Sequence, residues 1–300
     1  MKVGILGGGR WGQALARLAM AAGNEPFIAY RGTPRPPHLL RSTDHPPDVA
    51  AECELLLVAT SAEQVRNAIQ LTRPGAQHRV VVAGRGLEPA TSHWLTNVVL
   101  EESEALRVGA LAGPAPVEEI LNGGLCAGVV ASPFAEVRRM TTEALHSNRY
   151  RLYDSPDLVG VQLAGAMVPV LATLIGITRG LRGSGVGTHA MVLSRGLVEA
   201  GRLAQAMGAD PLTFSGLAGV GDLVAAQAVP GHPNFDAGLA LAGGDRRRGP
   251  AVLAQALARL AEQHGVELPL TEGLCAIYGG MEPLEAVQSL MTRPATSERG

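Results

Sequence analysis

The chain is 300 residues long, 46% hydrophobic and 17% charged, with a net charge near −2, enough for two ordinary domains with buried cores. So even a charge balance supplies no basic face for nucleic acid, and three scattered cysteines, Cys53, Cys126 and Cys275, give neither a disulfide framework nor a zinc site. Lys2 is the only lysine, and arginine does not release its proton near neutral pH, so chemistry that needs a lysine amine in an active site is excluded.

In chain order, short β-like runs at 2–6 (KVGIL), 25–30, 54–60, 79–84, 109–113 and 127–132 alternate with helical patterns near 11–22, 62–71, 92–103, 116–122 and 134–146. This alternation predicts a doubly wound α/β domain with a parallel sheet over residues 1–153. The proline-rich stretch 33–47 predicts a surface loop. From 154 to 300 the pattern is helical, with apolar periodicity at 156–181, 186–207, 211–228, 249–264 and 282–291, which predicts an all-α second domain. The apolar run Leu158–Thr178 is long enough to span a bilayer, but Gln162, three glycines and Pro169 interrupt it, so it reads as a buried helix. The opening residues turn into glycines without the apolar stretch of a signal peptide, and the expected location is the cytoplasm. No cluster of histidine, cysteine and carboxylate has metal-ligand spacing, so no metal is expected.

Gly7, Gly9 and Gly12 form G-x-G-x-x-G directly after the first strand and directly before a helix. That context points to a dinucleotide: the first glycine permits the turn, the second lets the backbone approach a pyrophosphate, and the third lets helix and strand pack. The second strand ends in Arg31 rather than the acid that bonds a ribose 2′-hydroxyl, which favours NADP over NAD. Arg85, after the strand at 79–84, lies where α/β sheets bind ligands and is a candidate for a phosphate or substrate anion. Asp222, behind LAGVG, reads either as a buried site acid or as a helix N-cap. Arg195 and Glu199 stand at helical spacing and predict an ion pair.

Taken in order, GGGRWGQALA (7–16), GRGLEP (84–89), LAGPAPVEEI (111–120), YDSPDLVGVQLAGAMVPVLA (153–172), the stretch 194–224 ending in GLAGVGDLV, and VELPLTEGLCAIYGG (266–280) resemble the bacterial, soluble NAD(P)-dependent glycerol-3-phosphate dehydrogenases. The resemblance covers essentially the whole chain. It implies a Rossmann-type cofactor domain, a helical substrate and dimerisation domain of the 6-phosphogluconate dehydrogenase-like kind, a small-molecule substrate without nucleic acid or membrane, and a homodimer. It also implies cofactor contacts from Gly7, Gly9, Arg10, Trp11, Gly12, Arg31, Ser61, Arg85 and Val117, and substrate contacts from Arg85, Gly113, Ala115, Val168, Asp222 and Asn234.

The same resemblance exposes departures. The family's two lysine positions fall on Arg85 and Val168, its asparagine beside the second falls on Pro169, and its arginine-asparagine pair is reduced to Asn234. Where the family carries a late cofactor-contacting glutamate, this chain reads RRRGP, with Arg248 at the matching position. Candidate replacements for the missing proton carrier are His189 and His232, beside the retained Asp222. The expectation is therefore an NAD(P)-dependent oxidoreductase of this family, transferring hydride between glycerol 3-phosphate and dihydroxyacetone phosphate or acting on a changed substrate; the alternatives are a non-catalytic dinucleotide-binding protein and a reductase of another substrate such as an imine.

Overall fold

Eight strands form one sheet in the order β3-β2-β1-β4-β5-β6-β7-β8, and a computed structural model describes it together with the rest of residues 1–32, 37, 40–114 and 116–292. The strands are β1 (Lys2–Leu6), β2 (Glu25–Ala29), β3 (Ser42–Thr43), β4 (Leu55–Val58), β5 (Arg79–Val82), β6 (Arg107–Ala112), β7 (Cys126–Ala131) and β8 (Tyr150–Ser155). The helices of this first part are α1 (Arg10–Ala21), α2 (Pro46–Glu52), α3 (Val65–Thr72), α4 (Leu95–Glu102), α5 (Val117–Leu121) and α6 (Ala135–Leu145).

The apolar runs of the central strands are explained by cover on both faces. Side chains alternate along a strand, so Val3, Ile5, Leu55, Leu57 and Val81 join one core cluster with Leu15 and Leu18 of α1 and Val137 of α6. Leu56, Val58, Val80 and Val82 join the other, with Val49 of α2, Val65 and Ile69 of α3 and Val98 of α4. β1 pairs in parallel with β2 on one side and β4 on the other. The chain order therefore reverses at β1, which opens a crevice at the carboxyl ends of these strands.

The sheet unit departs from the expected pattern at several points, β3 being a strand inside the stretch expected as a loop. β7 runs antiparallel to β6, so the sheet is not wholly parallel. β8 pairs in parallel with β7 over a stretch where no strand was expected, because only alternate residues, Tyr150 and Leu152, are buried. α2 begins inside the predicted proline loop: Pro46 occupies the start of the helix, where its missing N–H costs nothing. Residues 33–36, 38 and 39 of that loop lie outside the described residues.

The chain divides into two compact units, Met1–Gln162 and Leu163–Gly300. The division falls inside α7 (Leu158–Gly180) rather than at 153, since the first turn of α7 belongs with the sheet unit: Leu158 packs on its core and Thr96 Oγ1 donates to Gln162 Oε1 at 2.9 Å. The second unit is helical, with the rest of α7 followed by α8 (Val186–Ala206), α9 (Asp222–Ala228), α10 (Pro233–Ala242), α11 (Ala251–Gln263), α12 (Pro269–Tyr278) and α13 (Pro283–Met291). The stretch expected as one helix over 211–228 is instead a 3-10 turn, a π turn over Leu217–Gly221 and then α9. α7 is the one described helix long and apolar enough to cross a membrane, and 83% of its most apolar window is buried. It meets α10 through glycines: a Cβ on Gly238 would lie 2.0 Å from the Thr173 carbonyl oxygen.

Candidate functional site

The loop between β1 and α1 is shaped by its glycines. Gly7 has φ +127°, and a Cβ there would lie 2.6 Å from Ala59 O; a Cβ on Gly12 would lie 1.9 Å from Gly7 O. A Cβ on Gly9 would meet nothing within 4 Å. Two glycines thus close the loop on itself while the third leaves open space at the start of α1, where no side chain caps the helix. Unsatisfied N–H groups at a helix start, with room for an anion, fit a dinucleotide pyrophosphate. Gln13 Nε2 donates to Gly8 O at 3.0 Å and Trp11 Nε1 to Ala83 O at 2.9 Å, so the loop is tied both to its own helix and to the end of β5. Trp11 is thereby a positioning residue, and Arg10 at the first position of α1 pairs with Glu118 of α5.

Beside the loop lies a cavity of about 340 Å³, lined among others by Gly9, Tyr30, Arg31, Thr60, Ser61 and Gln64. It sits at the carboxyl ends of β1, β2 and β4, where the strand order reverses. Arg31 and Ser61 are among the residues expected to contact cofactor; Tyr30, Thr60 and Gln64 were not, since nothing in their local sequence distinguishes them from other loop residues. Among the described residues its lining has cationic and hydroxyl groups but no carboxylate.

The loops after β5 and β6 meet. Arg85 Nη2 donates to Gly113 O at 3.1 Å, and Gly113, at φ +112°, lets its chain pass 3.1 Å from Gly128 Cα as measured from a Cβ position. The Arg85 loop is braced by Glu88, buried at 6% exposure, which accepts two hydrogen bonds of 2.7 Å from Arg66 and one of 2.6 Å from Thr91 Oγ1. The Arg66 guanidinium holds the Glu88 carboxyl below the usual carboxylate range, so it remains charged despite burial. Val117 packs against the same core cluster as Trp11, making it a support for the loop. Ala115 lies outside the described residues.

In the second unit, Asp222 is buried at 4% exposure and is the first residue of α9, directly after the π turn. The N-cap position belongs to Gly221, so the capping reading of Asp222 does not hold. His189 Nε2 contacts Gln227 Oε1 at 2.6 Å, tying α8 to α9. His232 is the N-cap residue of α10. A cavity of about 580 Å³ opens beside it, lined by Asn234, Asp236, Arg248, Gly249 and others. Of the three consecutive arginines, Arg246 is committed to the carbonyls of Ile277 and Met281 and to Glu282, and Arg247 pairs with Asp245. Arg248 is the one that lines the cavity. Val168 is fully buried in α7. Glu199, expected as the ion-pair partner of Arg195, turns inward, and its Oε1 accepts the backbone N–H of Leu270 at 2.8 Å. Among the described residues no group of three or more histidine, cysteine, aspartate or glutamate side chains could hold a metal.

Two family descriptions match in tandem: the amino-terminal part of NAD-dependent glycerol-3-phosphate dehydrogenase over residues 29–137 and its carboxyl-terminal part over residues 157–288. A glycerol-3-phosphate dehydrogenase (NAD(P)+) of Symbiobacterium thermophilum is 35% identical over 99% of this chain and 96% of its own. One from Janthinobacterium is 32% identical over 99% of both chains. Among solved structures, a glycerol-3-phosphate dehydrogenase of Coxiella burnetii superimposes with a TM-score of 0.86 at 27% identity, covering 97% of this chain and 99% of that one.

Proposed function

The chain belongs to the NAD-dependent glycerol-3-phosphate dehydrogenase family, and from that membership we propose that it is an NAD(P)-dependent oxidoreductase interconverting glycerol 3-phosphate and dihydroxyacetone phosphate. The observation that carries this is the likeness to dehydrogenases of that name along the full length, through both units. A changed substrate, a purely dinucleotide-binding role and an imine substrate are not favoured by relatives that agree so uniformly in name.

The Gly7–Gly12 loop and the start of α1 hold the cofactor phosphates, and the cavity bearing Arg31 takes the adenosine end. Arg31, in a lining without a carboxylate, supports NADP as the better ligand. A bound nicotinamide supplies or accepts the hydride. Arg248 and Asn234, beside the start of α10, are the phosphate-recognition groups of the second unit, and Arg85 carries a second cation at the sheet's carboxyl end. The proton cannot pass through a lysine: Lys2 opens β1 at the opposite end of the strand, its Nζ 2.7 Å from Glu52 Oε2. Asp222 and His232 therefore carry the proton exchange, whereas His189 serves as a link to Gln227. Three free cysteines support a reducing, cytoplasmic setting. A homodimer is the assembly we assign, with Val186 and Leu212, 87% and 73% exposed, as apolar contacts for a subunit interface to cover.

The test is absorbance at the nicotinamide band with dihydroxyacetone phosphate and NADH or NADPH. Cofactor consumption that depends on both reactants is expected. Absence of turnover with either cofactor, in a sample that binds them, would refute the assigned reaction.

A further inference from the structure

The glycine loop and α5 are joined by a contact that the packing does not require. Arg10 donates from Nε to Glu118 Oε1 at 2.9 Å and from Nη2 to Glu118 Oε2. Both side chains stay about two thirds exposed, 63% and 67%, so solutes reach the pair. Its two arms are nevertheless held: Trp11 beside Arg10 is hooked to Ala83, and Val117 beside Glu118 packs on the same core as Trp11. Glu119 is engaged elsewhere, by a Cys126 thiol 3.8 Å from its Oε2. Glu118 is therefore an acid standing next to a loop whose N–H groups suit an anion, and Arg10 is what neutralises it.

We propose that Glu118 and the pyrophosphate of the cofactor compete for Arg10, so that the guanidinium leaves Glu118 and closes on the phosphates when a dinucleotide binds. This rests on the reading of the Gly7–Gly12 loop as the cofactor site. An exposed guanidinium–carboxylate pair holds weakly. A pyrophosphate offers more negative charge and more oxygens to the same planar fork, at a helix start that already favours an anion. One guanidinium cannot make its two-pronged contact with both partners at once. Glu118 thus lowers cofactor affinity by holding Arg10 back, and Arg10 raises it by changing partner.

A double-mutant cycle on the full chain tests this, with NADH and NADPH titrated by nicotinamide fluorescence at low ionic strength into wild type, Glu118→Gln, Arg10→Ala and the double variant. Glu118→Gln is expected to lower Kd roughly threefold and Arg10→Ala to raise it by a similar factor. The double variant should match Arg10→Ala, because Glu118 acts only through Arg10. A Glu118→Gln protein with unchanged or weaker affinity would overturn the proposal. So would a gain from Glu118→Gln that persists without Arg10, which would make the acid a general field effect. Wild type that binds neither nucleotide would overturn the cofactor site and the competition together, whereas the preceding outcomes leave the cofactor site standing.

Discussion

Glu199 Oε1 accepts the backbone N–H of Leu270 at 2.8 Å, so a carboxyl group of α8 ends at the first turn of α12 inside the helical unit. The side chain is only 4% exposed. Burial pushes its pKa up to about 8, against the pull of the Leu270 and Thr271 backbone N–H groups. In the unfolded chain the group titrates near 4.5. Between these values the native state holds a proton that the unfolded state has lost, so stability falls as pH rises through this window and is level above it. Glu199→Gln is expected to remove that slope and to melt higher than wild type at pH 8.5, by on the order of a few kcal/mol. Urea denaturation of both proteins from pH 5 to 9 checks this; parallel curves would contradict it.

Gly9 and Gly12 separate folding from binding. Gly12→Ala drives a Cβ to within 1.9 Å of Gly7 O, so it should lower both the melting temperature and cofactor affinity. Gly9 has φ −67° and ψ 177°, ordinary for any residue, and its Cβ space is empty. Gly9→Ala should cost about 1 kcal/mol or less in stability yet weaken NADH binding at least tenfold, because the methyl group fills the space a phosphate needs. Calorimetric melting beside fluorescence titration distinguishes the two.

Removing Arg66 strands a buried acid. Glu88 loses its two-pronged partner, which costs about 2 kcal/mol at pH 7, reduced from the fully buried case because Arg66 is 28% exposed. Since Arg66 lowers the Glu88 pKa, the pair's contribution is present above the ordinary carboxylate range and is lost as pH falls through the lowered pKa. The stability gap between wild type and Arg66→Ala should therefore narrow toward pH 3. A gap independent of pH would assign the loss to packing instead.

Arg248 and its neighbour Arg247 provide a matched comparison. Arg248→Ala is expected to raise KM for the phosphorylated substrate at least tenfold with a smaller effect on the Kd for NADH, whereas Arg247→Ala, paired with Asp245, should leave both within about twofold. Equal effects from the two would remove Arg248 from substrate recognition.

The cofactor loop was legible because its chemistry is local: three glycines at fixed spacing between a strand and a helix can hardly do anything else. The helical unit was less legible over 233–242 and 269–278, where no helix was expected; Pro233 and Pro269 each sit at the first turn of a helix, α10 and α12, where a proline is tolerated. β8 was hidden because it buries one face only, and the antiparallel turn of β7 has no marker in the chain. At the site, Arg246, Arg247 and Arg248 are identical as letters; only their surroundings, residues some thirty positions on for Arg246 and Asp245 two positions back for Arg247, separate two structural arginines from one that lines a cavity. The contact of Glu199 was illegible too, since it reaches a backbone amide 71 residues on.

The position of Lys2 at the amino end of β1 has a practical side. Lys2 is the only lysine in the sequence, and the amino group of Met1, bonded to Asn24, lies at the same rim of the sheet. The length of β1, on the order of 15 Å, separates that rim from the glycine loop. Amine-reactive dyes that reach Lys2 will therefore label the sheet unit at the rim away from the glycine loop.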